Sequence, residues 1–140
     1  MNTFPLEIIT QEKALLKENV ESLYVTTIDG DITVLAHHMP YVSVLKPSEI
    51  IIKRNGEEVP FVCTGGILEV TPEKTVILAD SAIRSEEIDE AEELKAKEKA
   101  EKLMSENLEE RERAATTAAL EKALLHLHIA EKRKRRHNRP

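Results

Sequence analysis

Ile77-Leu-Ala-Asp-Ser-Ala-Ile-Arg84-Ser85-Glu-Glu-Ile88-Asp89 divides the chain into two chemical halves. Before it, apolar residues come in short runs punctuated by Gly and Pro. After it there is no Gly, and no Pro before Pro140. The later residues are mostly Ala, Leu, Glu, Lys and Arg, which lose little rotamer freedom in a helix and do not compete with the backbone for hydrogen bonds. The pattern therefore changes from strand to helix within about ten residues. Ser85 is suited to cap a helix, and Glu86, Glu87 and Asp89 place negative charge where a first turn exposes its N–H groups. The reading is a β body, residues 1–84, carrying a helical arm, residues 85–140.

Towards the N-terminus, residues 5–9 and 14–28 read as strands. Val20–Ile28 mixes β-branched and aromatic residues on both alternation faces, as a strand buried on both sides does. Asp29-Gly30 supplies a tight turn. Gly30–Leu45 reads as two short strands around a loop, because Pro40 forbids a helix and biases Met39 to an extended backbone. Ile50–Arg54, then Asn55-Gly56, then Glu57–Thr64 reads as a hairpin with a type I′ turn. Pro60 cannot donate to a ladder, so its strand is expected at an edge or bulged. Gly65-Gly66 leads into Ile67–Val70. Thr71-Pro72-Glu73-Lys74 is a turn, and Thr75–Asp80 reads as the last strand. Strands this short and this evenly spaced indicate a sandwich or barrel.

Towards the C-terminus, the first helix is expected over about Glu86–Met104, with a thin apolar stripe of Ala96, Ala100, Leu103 and Met104. Ser105-Glu106 is the break. Asn107, with Glu110 three residues on, resembles a capping box opening a second helix that runs to about Arg135. That helix carries Leu120, Ala123, Leu124, Leu127 and Ala130 on one side. Ala115, Ala118, Leu125 and Ile129 lie roughly opposite. One stripe can meet the first helix; the other needs a further surface. An Ala-rich seam buries little area per residue, so the arm is expected to leave its seat at a cost of a few kcal/mol.

Length fits one domain, or one small domain with an appendage. The net charge of −6 argues against a general nucleic-acid binder. It is uneven: residues 86–94 hold six acids and no base, and residues 132–139 hold six bases and no acid. The single Cys63 excludes an intrachain disulfide framework, and its alternation with Val59 and Phe61 marks a buried core thiol. Met1-Asn-Thr-Phe-Pro5 has no basic start and no apolar stretch, so no signal peptide is expected. No apolar run approaches the roughly 18 residues of a membrane span, so membrane association is expected only through partners.

Catalytic patterns are absent from the sequence: no phosphate-binding glycine loop, no G-x-S-x-G, no C-x-x-C, no H-E-x-x-H. His37 and His38 do not make a metal site, since adjacent side chains in a strand point to opposite faces, and the reading kept is exposed loop histidine. His126 and His128 lie about 200° apart on a helix, which excludes one shared ligand face; both read as partly exposed neighbours of the basic end. With no nucleophile, base and oxyanion site assembled, the residues describe a binding or coupling module and not an enzyme.

The sequence resembles the epsilon subunit of F-type ATP synthases, called delta in mitochondria, over essentially its whole length. The resemblance rests on Leu6-Glu-Ile-Ile-Thr10, on Gly30–Leu45 with His38 and Pro40, on Gly65-Gly66-Ile-Leu-Glu-Val70, and on Ile77-Leu-Ala-Asp80 with Arg84 and Glu87-Ile88-Asp89. The Ala-rich second helix with its basic end fits as well. The resemblance implies an α+β fold: an N-terminal ten-stranded β-sandwich followed by a C-terminal antiparallel two-helix hairpin. It implies a non-catalytic rotor subunit of a proton-translocating synthase, peripheral on the cytoplasmic face of a bacterial membrane. The sandwich grips the gamma subunit and rests on the ring of c subunits. The resemblance further implies an arm that can reach the alpha and beta subunits transiently and inhibit ATP hydrolysis.

Carried over by position, the resemblance places Asp31 and His38 against the c ring, with Asp31 standing where the family often has Glu. It assigns the inhibitory contacts of the arm to Arg111, Arg113, Lys122, Lys132, Arg133, Lys134, Arg135 and Arg136. Two helices of about 20 residues, at about 1.5 Å per residue, reach roughly 60 Å when extended. One departure stands out. Some members bind ATP on the folded arm through Ile-Asp, two residues, then Arg-Ala; here Ile88-Asp89-Glu90-Ala91 runs into Glu92-Glu93. An acid replaces the phosphate-binding arginine, so no cofactor and no ATP binding are expected. The competing reading from another class is a free-standing adaptor whose basic C-terminal helix binds nucleic acid or anionic membrane.

Overall fold

Local chemistry sets the strand ends. Asn55 and Gly56 take positive φ, 51° and 76°, which is the backbone a type I′ turn requires and which splays the chain least against the twist of its strands. The ladder from Ser48↔Cys63 to Arg54↔Glu57 is unbroken. The computed structural model of the chain describes residues 2–137. It divides into two compact units, Met1–Arg84 and Ser85–Pro140.

The first unit has ten strands: β1 (Phe4–Ile9), β2 (Ala14–Val20), β3 (Ser22–Thr27), β4 (Gly30–Leu35), β5 (Tyr41–Leu45), β6 (Ser48–Arg54), β7 (Glu57–Cys63), β8 (Gly66–Val70), β9 (Thr75–Ala79) and β10 (Ala82–Arg84). They run β10-β7-β6-β3-β5-β8-β9-β1-β2, with β4 on the other edge of β3. The order turns a corner at β3 and β5, which share only the pairing Thr27↔Leu45. The two flanks of that corner close over one core, in which Leu23, Val25, Ile50 and Ile52 meet Leu6, Ile8, Leu68 and Ile77. This is the ten-stranded β-sandwich that the resemblance implies. Burying a side chain of this size contributes about 1.5–3 kcal/mol.

Three strand readings change. Val20–Ile28 is not buried on both faces: along β3 only Leu23, Val25 and Thr27 are buried, while Ser22, Tyr24 and Thr26 are half-exposed. The strand sits on the outside of a layer, so its second face has no cover from the sandwich. Thr75–Asp80 is not the last strand, since three-residue β10 follows, too short to show a period. Pro60 stands in a strand flanked on both sides, but β10 pairs only as far as Phe61. Pro60 lies one residue past that end, where its missing N–H costs the ladder nothing. Cys63 is fully buried and donates to the Gly65 carbonyl at 3.3 Å, and burial pushes its thiol pKa up.

The second unit is a short 3₁₀ turn (Ser85–Glu87), then α1 (Glu90–Met104) and α2 (Glu110–His137). Asp89, not Ser85, caps α1; its carboxylate accepts from the N–H groups of Ala91 and Glu92. Ser85 is instead buried in the 3₁₀ turn. α2 begins at Glu110, which leaves Asn107 in the connection rather than at a capping box. The helices pair as a hairpin, and the stripe reading needs correction. Ala123, His126, Ile129 and Ala130 are the buried residues of α2, whereas Leu124 is exposed, as are Ala115 and Ala118 of the expected second stripe. The seam follows alanines, one isoleucine and one histidine rather than the leucines.

Candidate functional site

Strand alternation sends Leu68, Val70, Ile77 and Ala79 inward. A surface strand ordinarily presents polar residues on the other face. Here β5 and β9 present apolar residues instead, and on β8 Ile67 does so beside a single exposed acid, Glu69. Val44 pairs with Ile67, Ile67 with Leu78, and Leu78 with Ile9 on β1, giving one apolar row across four strands. Val44 is 49% exposed, Ile67 45% and Leu78 48%. Val42, 67% exposed, lies two residues along from Val44, and Ile28, 56% exposed, donates its N–H to the Val44 carbonyl at 3.0 Å. A contiguous apolar patch on a rigid sheet marks a surface that another protein covers. The sequence carried the signal in Val42-Ser-Val44, Ile67-Leu68 and Val76-Ile-Leu78, which are apolar on the outward positions too; the site residues named from the resemblance did not include them.

Asp31 opens β4, and Tyr24 on β3 donates its hydroxyl to the Asp31 carboxylate at 2.5 Å. That bond holds the Asp31 carboxyl below its ordinary pKa, with a second bond from Thr26 assisting, and it holds the Tyr24 hydroxyl above its own. A depressed carboxyl makes the contact complete above the ordinary carboxylate range and loses it as pH falls through the folded value. A raised phenol loses it as pH rises through the folded value. Replacing Tyr24 with Phe is therefore expected to move the Asp31 titration upwards, read by NMR; an unmoved titration overturns the assignment.

His38 lies beyond the far end of β4. From Asp31 to Leu35 the strand alone spans about 13 Å at roughly 3.3 Å per residue, so the two expected contact residues are not one cluster. They lie at the two ends of a strand whose only ladder partner is β3. His37 and His38 are not strand neighbours, because the chain turns there and His37 adopts φ 65°. The His38 Nδ1 is 2.7 Å from the Met39 carbonyl, and its ring meets Tyr41 edge-on at 6.3 Å. Leu35 and Met39 beside it are exposed. Among the described residues no group of three or more His, Cys, Asp or Glu is placed to hold a metal ion.

In the hairpin, Arg111, Arg113 and Lys122 are exposed on α2. The basic end is not simply a solvated tail. Arg133 is half-buried and donates to the Ser85 carbonyl at 2.5 Å and the Ile88 carbonyl at 3.4 Å. Lys134 pairs with Glu90 at 2.9 Å, and Arg135 with Glu131, one turn back, at 3.0 Å. Lys132 and Arg136 are exposed but also partnered. Arg139, the last base of the tail, lies outside the described residues. His126 overturns its reading as a partly exposed neighbour: it is 3% exposed, and its Nδ1 lies 3.1 Å from a Glu93 carboxylate oxygen. The pair occupies the seam because Glu93 on α1 faces it. Glu92, at the position of the arginine in the ATP-binding motif, is exposed.

An exposed apolar sheet face on a β-sandwich, followed by a two-helix hairpin with a charged base, defines a docking module. Residues 3–85 match the family described as the ATP synthase delta/epsilon chain, beta-sandwich domain. The ATP synthase epsilon chain of Dehalococcoides mccartyi is 39% identical over 136 residues, 96% of this chain and 97% of that one. The sodium-ion-specific ATP synthase epsilon chain of Propionigenium modestum is 42% identical over 132 residues, covering 94% and 96%. A chain in the cryo-EM structure of the Euglena gracilis mitochondrial ATP synthase, OSCP/F1/c-ring, superposes with a TM-score of 0.69 at 26% identity, covering 92% of this chain and 81% of that one. A chain of the Tetrahymena thermophila mitochondrial enzyme shares the fold, with a TM-score of 0.59 at 14% identity and coverage of 91% and 96%. The chain belongs to the ATP synthase delta/epsilon family.

Proposed function

We propose that this chain is the non-catalytic, epsilon-type rotor subunit of a rotary ATP synthase. The observation that carries the reading is the apolar row Val44–Ile67–Leu78, which gives a stiff sandwich a broad face for a permanent partner. The partner is the gamma subunit, and the sandwich transmits the rotation of the c ring to it. Asp31 and His38 contact the ring from the two ends of β4. Among the described residues no helix is long and apolar enough to cross a membrane, so the association with the membrane runs through these partners, on its cytoplasmic face. The experiment is purification from the native membrane: the chain co-purifies with gamma and the catalytic subunits. A chain recovered alone, with a steep salt-dependent affinity for nucleic acid, supports the adaptor reading instead.

The arm is the regulatory part. Helices of 15 and 28 residues, at about 1.5 Å per residue, reach roughly 65 Å end to end when straightened. Raised, the arm brings Arg111, Arg113, Lys122 and the base-rich end, Lys132 to Arg136, to an acidic surface of the alpha and beta subunits and blocks hydrolysis. Single exposed ion pairs contribute only about 0–1 kcal/mol each, so the blockade draws on several at once. Removing residues 85–140 is expected to raise ATP hydrolysis of the assembled enzyme severalfold; unchanged hydrolysis leaves the sandwich as the working part. ATP does not bind the arm, because exposed Glu92 and seam residue Glu93 repel phosphate. A calorimetric titration with saturable heat at micromolar ATP overturns that statement.

A further inference from the structure

The seam between α1 and α2 changes character along its length. Near the connection it is weak. Met104 takes only a 3.7 Å contact from the Thr117 hydroxyl, and the buried residues further in are Ala100 and Ala123. At the other end, where the arm joins the 3₁₀ turn, it is polar and crowded. His126 meets Glu93, Lys134 meets Glu90, and the Arg133 guanidinium reaches across to two carbonyls. These carbonyls need a donor. The 3₁₀ turn ends at Glu87, and Asp89 is extended, with φ −98° and ψ 107°. The Ser85 carbonyl also receives a long bond, 3.4 Å, from the Ile88 N–H within the turn. Ser85 and Ile88 are both buried, so the two bonds from Arg133 are made largely out of water.

We propose that Arg133 is the clasp of the folded arm: its guanidinium completes the buried carbonyls of the 3₁₀ turn, and it must let go of them before it can serve an acidic partner. This rests on the reading of the arm as the inhibitory element, and it adds what holds the arm back. One guanidinium has one set of donors. Two of its five N–H groups are held at Ser85 and Ile88 in a half-buried place while the arm is folded, and a partner's carboxylate is reached only once the arm is raised, so the closed arm withholds its own docking charge. The planar fork matters, because two carbonyls are reached from different nitrogens, Nη1 for Ser85 and Nη2 for Ile88. A lysine ammonium is a compact point charge without that fork. Arg135, held only by Glu131 on its own helix, both side chains exposed, has no part in the clasp.

Hydrogen exchange on the isolated full-length chain tests this without the rest of the enzyme. Arg133→Ala and Arg133→Lys are each expected to speed exchange about tenfold or more in the first turns of α1 and in α2 around His126, while β-sandwich amides keep their parent rates. Arg135→Ala is expected to leave all of these unchanged. Parent-like exchange in Arg133→Ala, or equal acceleration in Arg135→Ala, overturns the clasp. Acceleration that extends through the sandwich overturns it too, since a general loss of fold is not an opened arm. Removal of residues 85–140 in the assembled enzyme separates the two ideas, because Arg133 serves in both: an arm that Arg133→Ala opens in isolation, with hydrolysis unchanged by the truncation, keeps the clasp and removes the inhibitory reading.

Discussion

Gly66→Ala is expected to destabilise the sandwich by at least about 3 kcal/mol, enough to leave little of a marginally stable domain folded. Gly66 stands mid-sheet, paired with Leu45 on β5 and Ala79 on β9. A Cβ there meets the Leu78 carbonyl oxygen at 2.1 Å and the Ala79 Cα at 2.9 Å. Both are backbone atoms, so no side chain can swing aside, and the β8–β9 ladder must part. The residue also holds φ 146°, which L side chains rarely adopt. Gly56→Ala is the internal comparison. It has positive φ, 76°, but nothing within 4 Å of a new Cβ, so its cost is the left-handed backbone alone, about 1–2 kcal/mol. Denaturant unfolding of the two variants decides the matter; equal losses refute the steric account.

Ile67→Glu is the second large effect, and it falls on association rather than folding. The side chain points outward at the centre of the row from Val44 to Leu78, so the isolated chain is expected to lose no more than about 1 kcal/mol. If the row is the seat of the gamma subunit, a charge at its centre removes about 2 kcal/mol or more of binding, roughly thirtyfold in affinity. Titration calorimetry against purified gamma subunit measures it, with exposed Glu58→Ala on β7 as the neutral control. Parent affinity in Ile67→Glu moves the interface elsewhere.

How much of this was legible in the sequence follows from which interactions are local. The turn at Asn55-Gly56 and the change of code at Ile77–Asp89 depend on neighbours in the chain, and both were readable. The cap at Asp89 was not, because Ser85 is as good a capping residue in isolation; the 3₁₀ turn that displaces it is made by burial and by an arginine 48 residues away. His126 was misread because a count of apolar positions leaves out a polar group that finds its partner on another helix, as it does on Glu93. The outward row was hidden for a different reason. A strand face covered by its own domain and one covered by another chain ask for the same residues, and one sequence does not separate them. Of the candidate site, the sequence offers the basic residues as candidates but does not show that Arg133 and Lys134 already have partners within the hairpin.

The parallel pairing of β1 with β9, Leu6↔Thr75 to Ile9↔Leu78, bears on how the molecule comes into being. The strand of this unit that is made first lies between β2 and one of the last strands of the same unit. A nascent chain stopped short of about residue 80 therefore holds an apolar strand, Phe4–Ile9, with one edge unmet. The sandwich is completed only when most of it has been translated, and the locally folding arm emerges after that. The early strand must be kept from pairing with the wrong neighbour for the whole of that interval.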